Sequence, residues 1–138
     1  NWEEAKDDLE QIVEDAPPHH PALTQLASCF MAMDRPEKAE APLNEALRLA
    51  PDHTEAWHQR GLLYLDWAQE ESALNDFEAA VRCDGNHLGA RLRIAAIHHK
   101  AERFPEALGA WNGVLAIEPE HTVARRRREE CEMALATI

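Results

Sequence analysis

Apolar residues recur along this chain at the spacing of amphipathic helices, in short stretches parted by polar breaks. Leu62, Leu63, Tyr64 and Leu65 lie in one such stretch, and Ala73, Leu74, Phe77, Ala80 and Val81 in the next. The pattern predicts helices near 3–16, 20–33, 37–50, 54–67, 71–84, 88–101, 105–118 and 122–136. None of these helices can bury its stripe alone, so each is expected to stack on its neighbours and build one core running along the chain.

The stretches repeat. His19, His53, His87 and His121 stand 34 residues apart, and at the same interval Leu23, Trp57 and Arg91 fall into register. So do Leu26, Arg60 and Ile94, then Phe30, Tyr64 and His98, then Ala39, Ala73 and Ala107, then Leu43, Phe77 and Trp111. A period of this length is that of a helix–turn–helix unit in a repeat protein. Small residues mark where backbones approach closely: Gly61 is in register with Ala27 and Ala95, and alanines stand at 39, 73 and 107.

Punctuation agrees. Pro51, Gly85 and Pro119 follow the second helix of their repeats, and Pro36 and Pro105 open second helices, where a missing N–H costs nothing. Pro42 falls about two turns into its predicted helix, where it is expected to remove one backbone hydrogen bond and bend the helix on its outer face.

In this frame Trp57-x-x-Arg60-Gly61-x-x-Tyr64, followed by Ala73, Phe77 and Ala80, resembles a tetratricopeptide repeat. Three complete repeats follow at 20–53, 54–87 and 88–121. Residues 1–19 are similar to the second helix of a preceding repeat, and residues 122–138 to the first helix of a further one. The resemblance implies an all-α, right-handed superhelical array of antiparallel helix pairs, an α-solenoid. It also implies a scaffold for protein–protein interaction, with the first helices lining a concave groove that holds a peptide or helix of a partner. Carried over position by position, the groove takes Thr24, Gln25, Ser28, Met31 and Ala32 from the first repeat. It takes Glu55, His58, Gln59, Leu62, Leu65 and Asp66 from the second, then Leu92, Arg93, Ala96, His99 and Lys100, with Arg126, Arg127 and Glu130 beyond them. Family members that clamp a terminal carboxylate use lysine and asparagine at two of these places. Here the pairs read Thr24 and Ser28, His58 and Leu62, or Leu92 and Ala96, so that clamp is absent. Arg93, Lys100 and Arg127 offer a replacement that would suit an acidic ligand; the alternative is that they balance Asp66 and Glu130.

Charge narrows the partner. The net charge of −12 argues against general nucleic-acid binding, which draws on phosphate neutralisation. Residues 1–19 hold seven acids against one base, whereas 122–138 hold Arg125, Arg126, Arg127 and Arg128. Trp2, Leu9 and Ile12 at one end, and Val123, Leu135 and Ile138 at the other, are expected to remain partly uncovered. Opposite ends of two molecules could therefore join head to tail, the alternative function being a self-associating structural scaffold. The chain opens without methionine in mid-repeat, as a piece of a longer array would.

No catalytic site, metal site or cofactor is expected. The sequence has no nucleophile elbow, phosphate-cradling glycine loop or metalloprotease helix. Cys29, Cys83 and Cys131 form no C-x-x-C pair, and Cys29 and Cys131 share one place in the repeat. All three are expected as buried reduced thiols, pointing to a cytoplasmic location. The boundary histidines lie one repeat apart, and adjacent histidines such as His98 and His99 diverge around a helix, so neither set chelates. His98 is expected to be partly buried and His99 to face the groove. No stretch of about 20 apolar residues is available to span a membrane.

Overall fold

The computed structural model describes residues 1–15 and 20–137. Among them are eight α-helices and no strand: α1 Trp2–Asp15, α2 His20–Ala32, α3 Glu40–Leu49, α4 Thr54–Asp66, α5 Glu70–Cys83, α6 Leu88–Lys100, α7 Phe104–Ile117 and α8 Thr122–Ala136. The fold is thus an all-α helical-repeat array. Every helix end lies within one residue of expectation except the start of α3. His19, the junction between the first two helices, and Ile138 lie outside the described residues.

Pro42 explains that exception. Residues Pro36–Lys38 form a 3-10 turn, and α3 starts only at Glu40. Pro42 is then in the first turn of α3, where an amide has no intrahelical acceptor to meet, so the missing N–H goes unfelt. The expected bend in a continuous helix is replaced by a division of the segment.

The chain comprises two compact units, Asn1–Asp76 and Phe77–Ile138. In the first, α2 packs on α1, α3 and α4, around Leu23, Leu26, Ala27 and Phe30 of α2, Leu43, Ala46 and Leu47 of α3, and Ala56 and Leu63 of α4. In the second, α7 packs on α6 and α8 around Ala95, Ala107, Trp111, Val114, Leu115, Ala124 and Cys131. The small residues sit where backbones meet: Ala27, Ala39, Ala73, Ala95 and Ala107 are wholly enclosed, and Gly61 is buried.

Each repeat closes its first helix in the same way. Asp34, Ala68 and Glu102, again 34 residues apart, have φ of 59°, 58° and 60°. The amide of the following residue reaches back to the carbonyl of Phe30, Tyr64 or His98, at 2.8, 2.8 and 2.9 Å. This is a Schellman closure whose left-handed position usually holds glycine. A side chain in that conformation costs about 1–2 kcal/mol. Ala68→Gly should therefore raise stability by about 1 kcal/mol, after allowing for glycine's freer unfolded state. Urea unfolding would test it, and an unchanged or lower midpoint would count against strain at this turn.

Two of the boundary histidines, His87 and His121, cap the helices that follow them, α6 and α8, whereas His53 makes no such bond at the start of α4. His87 Nδ1 accepts from the Ala90 amide at 3.0 Å, and His121 Nδ1 from the Ala124 amide at 3.1 Å. They take the role usually given to serine or aspartate. Four residues on, Trp57 Nε1, Arg91 Nε and Arg125 Nε donate to the carbonyls of Pro51, Gly85 and Pro119 at 2.8, 2.6 and 2.9 Å. An indole in one repeat and a guanidinium in two others thus tie the loop to the helix that follows it.

Cys29 and Cys131 are buried, whereas Cys83 is exposed, correcting the expectation that all three are enclosed. Cys83 is the last residue of α5, at a helix end where the chain turns away.

Candidate functional site

In the first unit, α2 and α4 carry the predicted groove residues. Thr24 is buried, 4% exposed, and its hydroxyl lies 2.8 Å from His53 Nε2. This burial, and the contact with His53 just before α4, differ from the open groove position expected of Thr24. Ser28 turns its hydroxyl back onto the Thr24 carbonyl at 3.2 Å. Gln25 is exposed, while His58 and Gln59 are half-buried, with His58 Nδ1 3.5 Å from a Glu55 carboxylate oxygen. Leu62 and Leu65 are half-buried and Asp66 is exposed.

Between the ends of these helices lies a pocket of about 210 Å³, lined by Met31, Asp34, Pro36, Leu62 and Asp66. Met31, Leu62 and Asp66 were expected in the groove. Asp34 and Pro36 were not, because they belong to the turn beyond α2 and to no first helix. The sequence signal for Asp34 is an acid immediately after a helix, a place that favours bases.

Arg60 stands where the neighbouring repeats have Leu26 and Ile94. Its Nε and Nη2 donate to the two carboxylate oxygens of Asp76 at 2.9 and 2.8 Å, and Nη1 donates to Asn44 Oδ1 at 3.0 Å. The guanidinium carbon lies 5.1 Å from the Trp57 ring centre and 5.6 Å from that of Tyr64. Tyr64 donates to Glu40 Oε2 at 2.9 Å, and burial together with this bond raises the phenol above its ordinary range. Asp76 is 3% exposed. The network joins α3, α4 and α5 by polar contacts at a place where the other repeats use hydrocarbon, and its partners leave the guanidinium committed to structure.

In the second unit Leu92 packs on the core, and Arg93, Ala96 and Lys100 are exposed. Arg127 donates to Glu130 Oε2 at 2.9 Å, which holds the Glu130 carboxyl below its usual range. Arg127 is thus balanced by its own helix. His99 is packed in a seam instead of lying open to the groove. Its ring meets Phe104 and Trp111 edge-on, with centroids 5.8 and 6.1 Å away. Nδ1 lies 3.3 Å from Trp111 Nε1 and 3.4 Å from Cys131 Sγ, and Nε2 lies 3.1 Å from Glu130 Oε2. A cysteine, histidine and carboxylate in this order resemble a nucleophilic set, yet Cys131 is fully enclosed and burial pushes its thiol up, away from the reactive thiolate.

His98 is half-buried, as expected, and Nδ1 accepts from Arg103 Nε at 3.0 Å. Burial first, and Arg103 second, push its imidazole below its ordinary value of 6.5. Folding then favours the neutral ring. The associated stability is full above about pH 6.5 and is lost as pH falls from there through the lowered folded value. His98→Phe, which restores the ring type found at Phe30, should gain on the wild type in urea midpoint as pH falls from 7.5 to 5.5. A difference independent of pH would show that His98 does not contribute to acid sensitivity.

Comparison with known proteins places this geometry. Two models described as tetratricopeptide repeat match residues 1–61 and 54–87. A TPR repeat-containing protein of Rhizobium etli is 29% identical over 85 residues, 62% of this chain and 42% of that protein. Among solved structures, MamA superposes with a TM-score of 0.87 at 15% identity, covering 98% of this chain and 79% of that one. YrrB, described as a TPR protein with an unusual peptide-binding site, superposes at 0.77 with 23% identity, covering 93% and 66%. At these identities the structures establish the fold. The chain spans less than half the length of the sequence relatives it matches. No helix among the described residues is long and apolar enough to cross a membrane.

Proposed function

The chain belongs to the tetratricopeptide repeat family, and from that premise we propose that it is a protein-interaction module holding a peptide or helix of another protein against its first helices. The pocket on the first unit carries this reading: three of its five lining residues, Met31, Leu62 and Asp66, occupy groove places of the repeat. A pocket with apolar walls and a few polar groups is the usual form of a site for one anchoring side chain. The peptide-binding site ascribed to YrrB supports the reading by likeness of fold. Gln25 and Leu65 would extend the contact along the first-helix faces of the same unit, and Leu92, Arg93, Ala96 and Lys100 stand at the corresponding places of the second unit.

Panning a phage library of random nonapeptides against the immobilised chain tests it. Peptides should be enriched, and their binding should fall at least about tenfold on Leu62→Lys while the helical circular dichroism is kept. Enriched peptides that bind the variant as well as the wild type would place recognition elsewhere.

Self-association is a second reading, favoured by apolar side chains left uncovered in both units. Trp2 and Ile12 on α1 are 56% and 44% exposed, and Val123 and Met133 on α8 are 42% and 71% exposed. The electrostatic part of a head-to-tail contact is smaller than the net charges suggest. Arg125, Arg127 and Arg128 are paired with Glu120, Glu130 and Glu132, and Lys6 already meets Glu3, Asp7 and Glu10. On this reading light scattering should show mass rising with concentration, with little dependence on salt. Monomer at every concentration would dismiss it.

A further inference from the structure

We propose that the pocket lined by Met31, Asp34, Pro36, Leu62 and Asp66 is a subsite for one basic side chain, arginine or lysine, of a bound peptide. This rests on the groove reading above and adds the chemistry of the ligand. The pocket is lined by two carboxylates and three apolar side chains and has a volume of about 210 Å³. Those walls suit the methylene stem of a long basic residue, whose charged head would lie between the carboxylates.

The position of the acids is the stronger argument. Asp66 is the last residue of α4, and Asp34 is the second residue beyond α2. Helix C-termini carry partial negative charge, so a carboxylate there lowers stability and a cation raises it. Neither α2 nor α4 has a basic residue in its last turn, whereas α6 ends with His98, His99 and Lys100. Asp34 and Asp66 make no ion pair among the described residues. Two helix ends and two carboxylates thus converge on one pocket with no cation of the chain's own. Such an arrangement is unfavourable in the free protein and is relieved by a bound cation. It also repels an acidic side chain.

The experiment sequences the nonapeptides enriched on the wild type, then synthesises one with its basic residue and again with glutamine there. Enriched peptides should share an arginine or lysine. Asp66→Asn and Asp34→Asn should each weaken the basic peptide about tenfold, and neither should change affinity for the glutamine version. Asparagine keeps Asp34's left-handed backbone, so the turn is preserved. Asp66→Asn should also raise the melting temperature of the free chain, which a carboxylate with a merely structural role would not do. Enrichment without a basic residue, or equal affinity in wild type and variants, overturns the subsite and leaves the groove standing. Enriched peptides indifferent to Leu62→Lys, or no enrichment at all, overturn both.

Discussion

Phe77→Ala should remove about 3–5 kcal/mol of stability, the usual cost of deleting a buried aromatic and leaving its cavity. Phe77 is the largest of the fully enclosed side chains, 0% exposed, and shares its register with Leu43 at 0% and Trp111 at 3%. The neighbouring alanines Ala73 and Ala80 are also at 0%, so close backbones leave little room for side chains to collapse into the gap. A loss of that size is a large fraction of the 5–15 kcal/mol by which domains are usually stable. Phe77→Leu, which fills most of the space, should lose far less. Equilibrium urea unfolding followed by circular dichroism decides the matter: a midpoint unmoved by the alanine would mean that the side chain is exposed in solution.

Asp76→Ala should be comparably severe, on the order of 3 kcal/mol, for a different reason. The cost is that of stranding the partner guanidinium, because Arg60 and Asp76 have side chains only 20% and 5% exposed. The register supplies the rescue. Where this repeat has Arg60 and Asp76, the preceding one has Leu26 and Pro42, and the following one has Ile94 and Ala110. Arg60→Leu combined with Asp76→Ala should restore most or all of the stability, since well-packed hydrocarbon commonly equals or exceeds a buried ion pair. The double-mutant cycle reads the coupling directly. A double variant as unstable as Asp76→Ala alone would show that the aspartate acts through something besides the arginine.

Repetition explains how much was legible. Residues repeated in register face the same kind of neighbour, so the columns of Ala39, Ala73 and Ala107, and of Leu43, Phe77 and Trp111, mark buried positions from the sequence alone. Where one repeat departs from its column, the departure itself is a signal: a charge at Arg60 between Leu26 and Ile94 calls for a buried counter-charge. Asp76, 16 residues away, is found only once α4 and α5 are set beside each other. The left-handed turns at Asp34, Ala68 and Glu102 gave no warning, because none is glycine and the conformation is imposed by the helices on either side. The capping histidines were visible as a period, while their chemistry depends on which ring nitrogen faces the helix. Of the groove residues, Thr24 is buried and bonded to His53, a contact 29 residues away that the helical period does not signal. Asp34 lines the pocket from beyond the end of α2, where a helical period carries no signal.

The three thiols differ in access, and that turns the chain into its own reporter of local opening. Cys83 is exposed, Cys29 is buried in the first unit and Cys131 in the second, with burial raising the pKa of both enclosed thiols. A brief pulse of maleimide should mark Cys83 at once, whereas Cys29 and Cys131 become modified only when their surroundings unfold. Counting adducts by mass, and locating them by peptide, would time the opening of each unit separately within one native molecule.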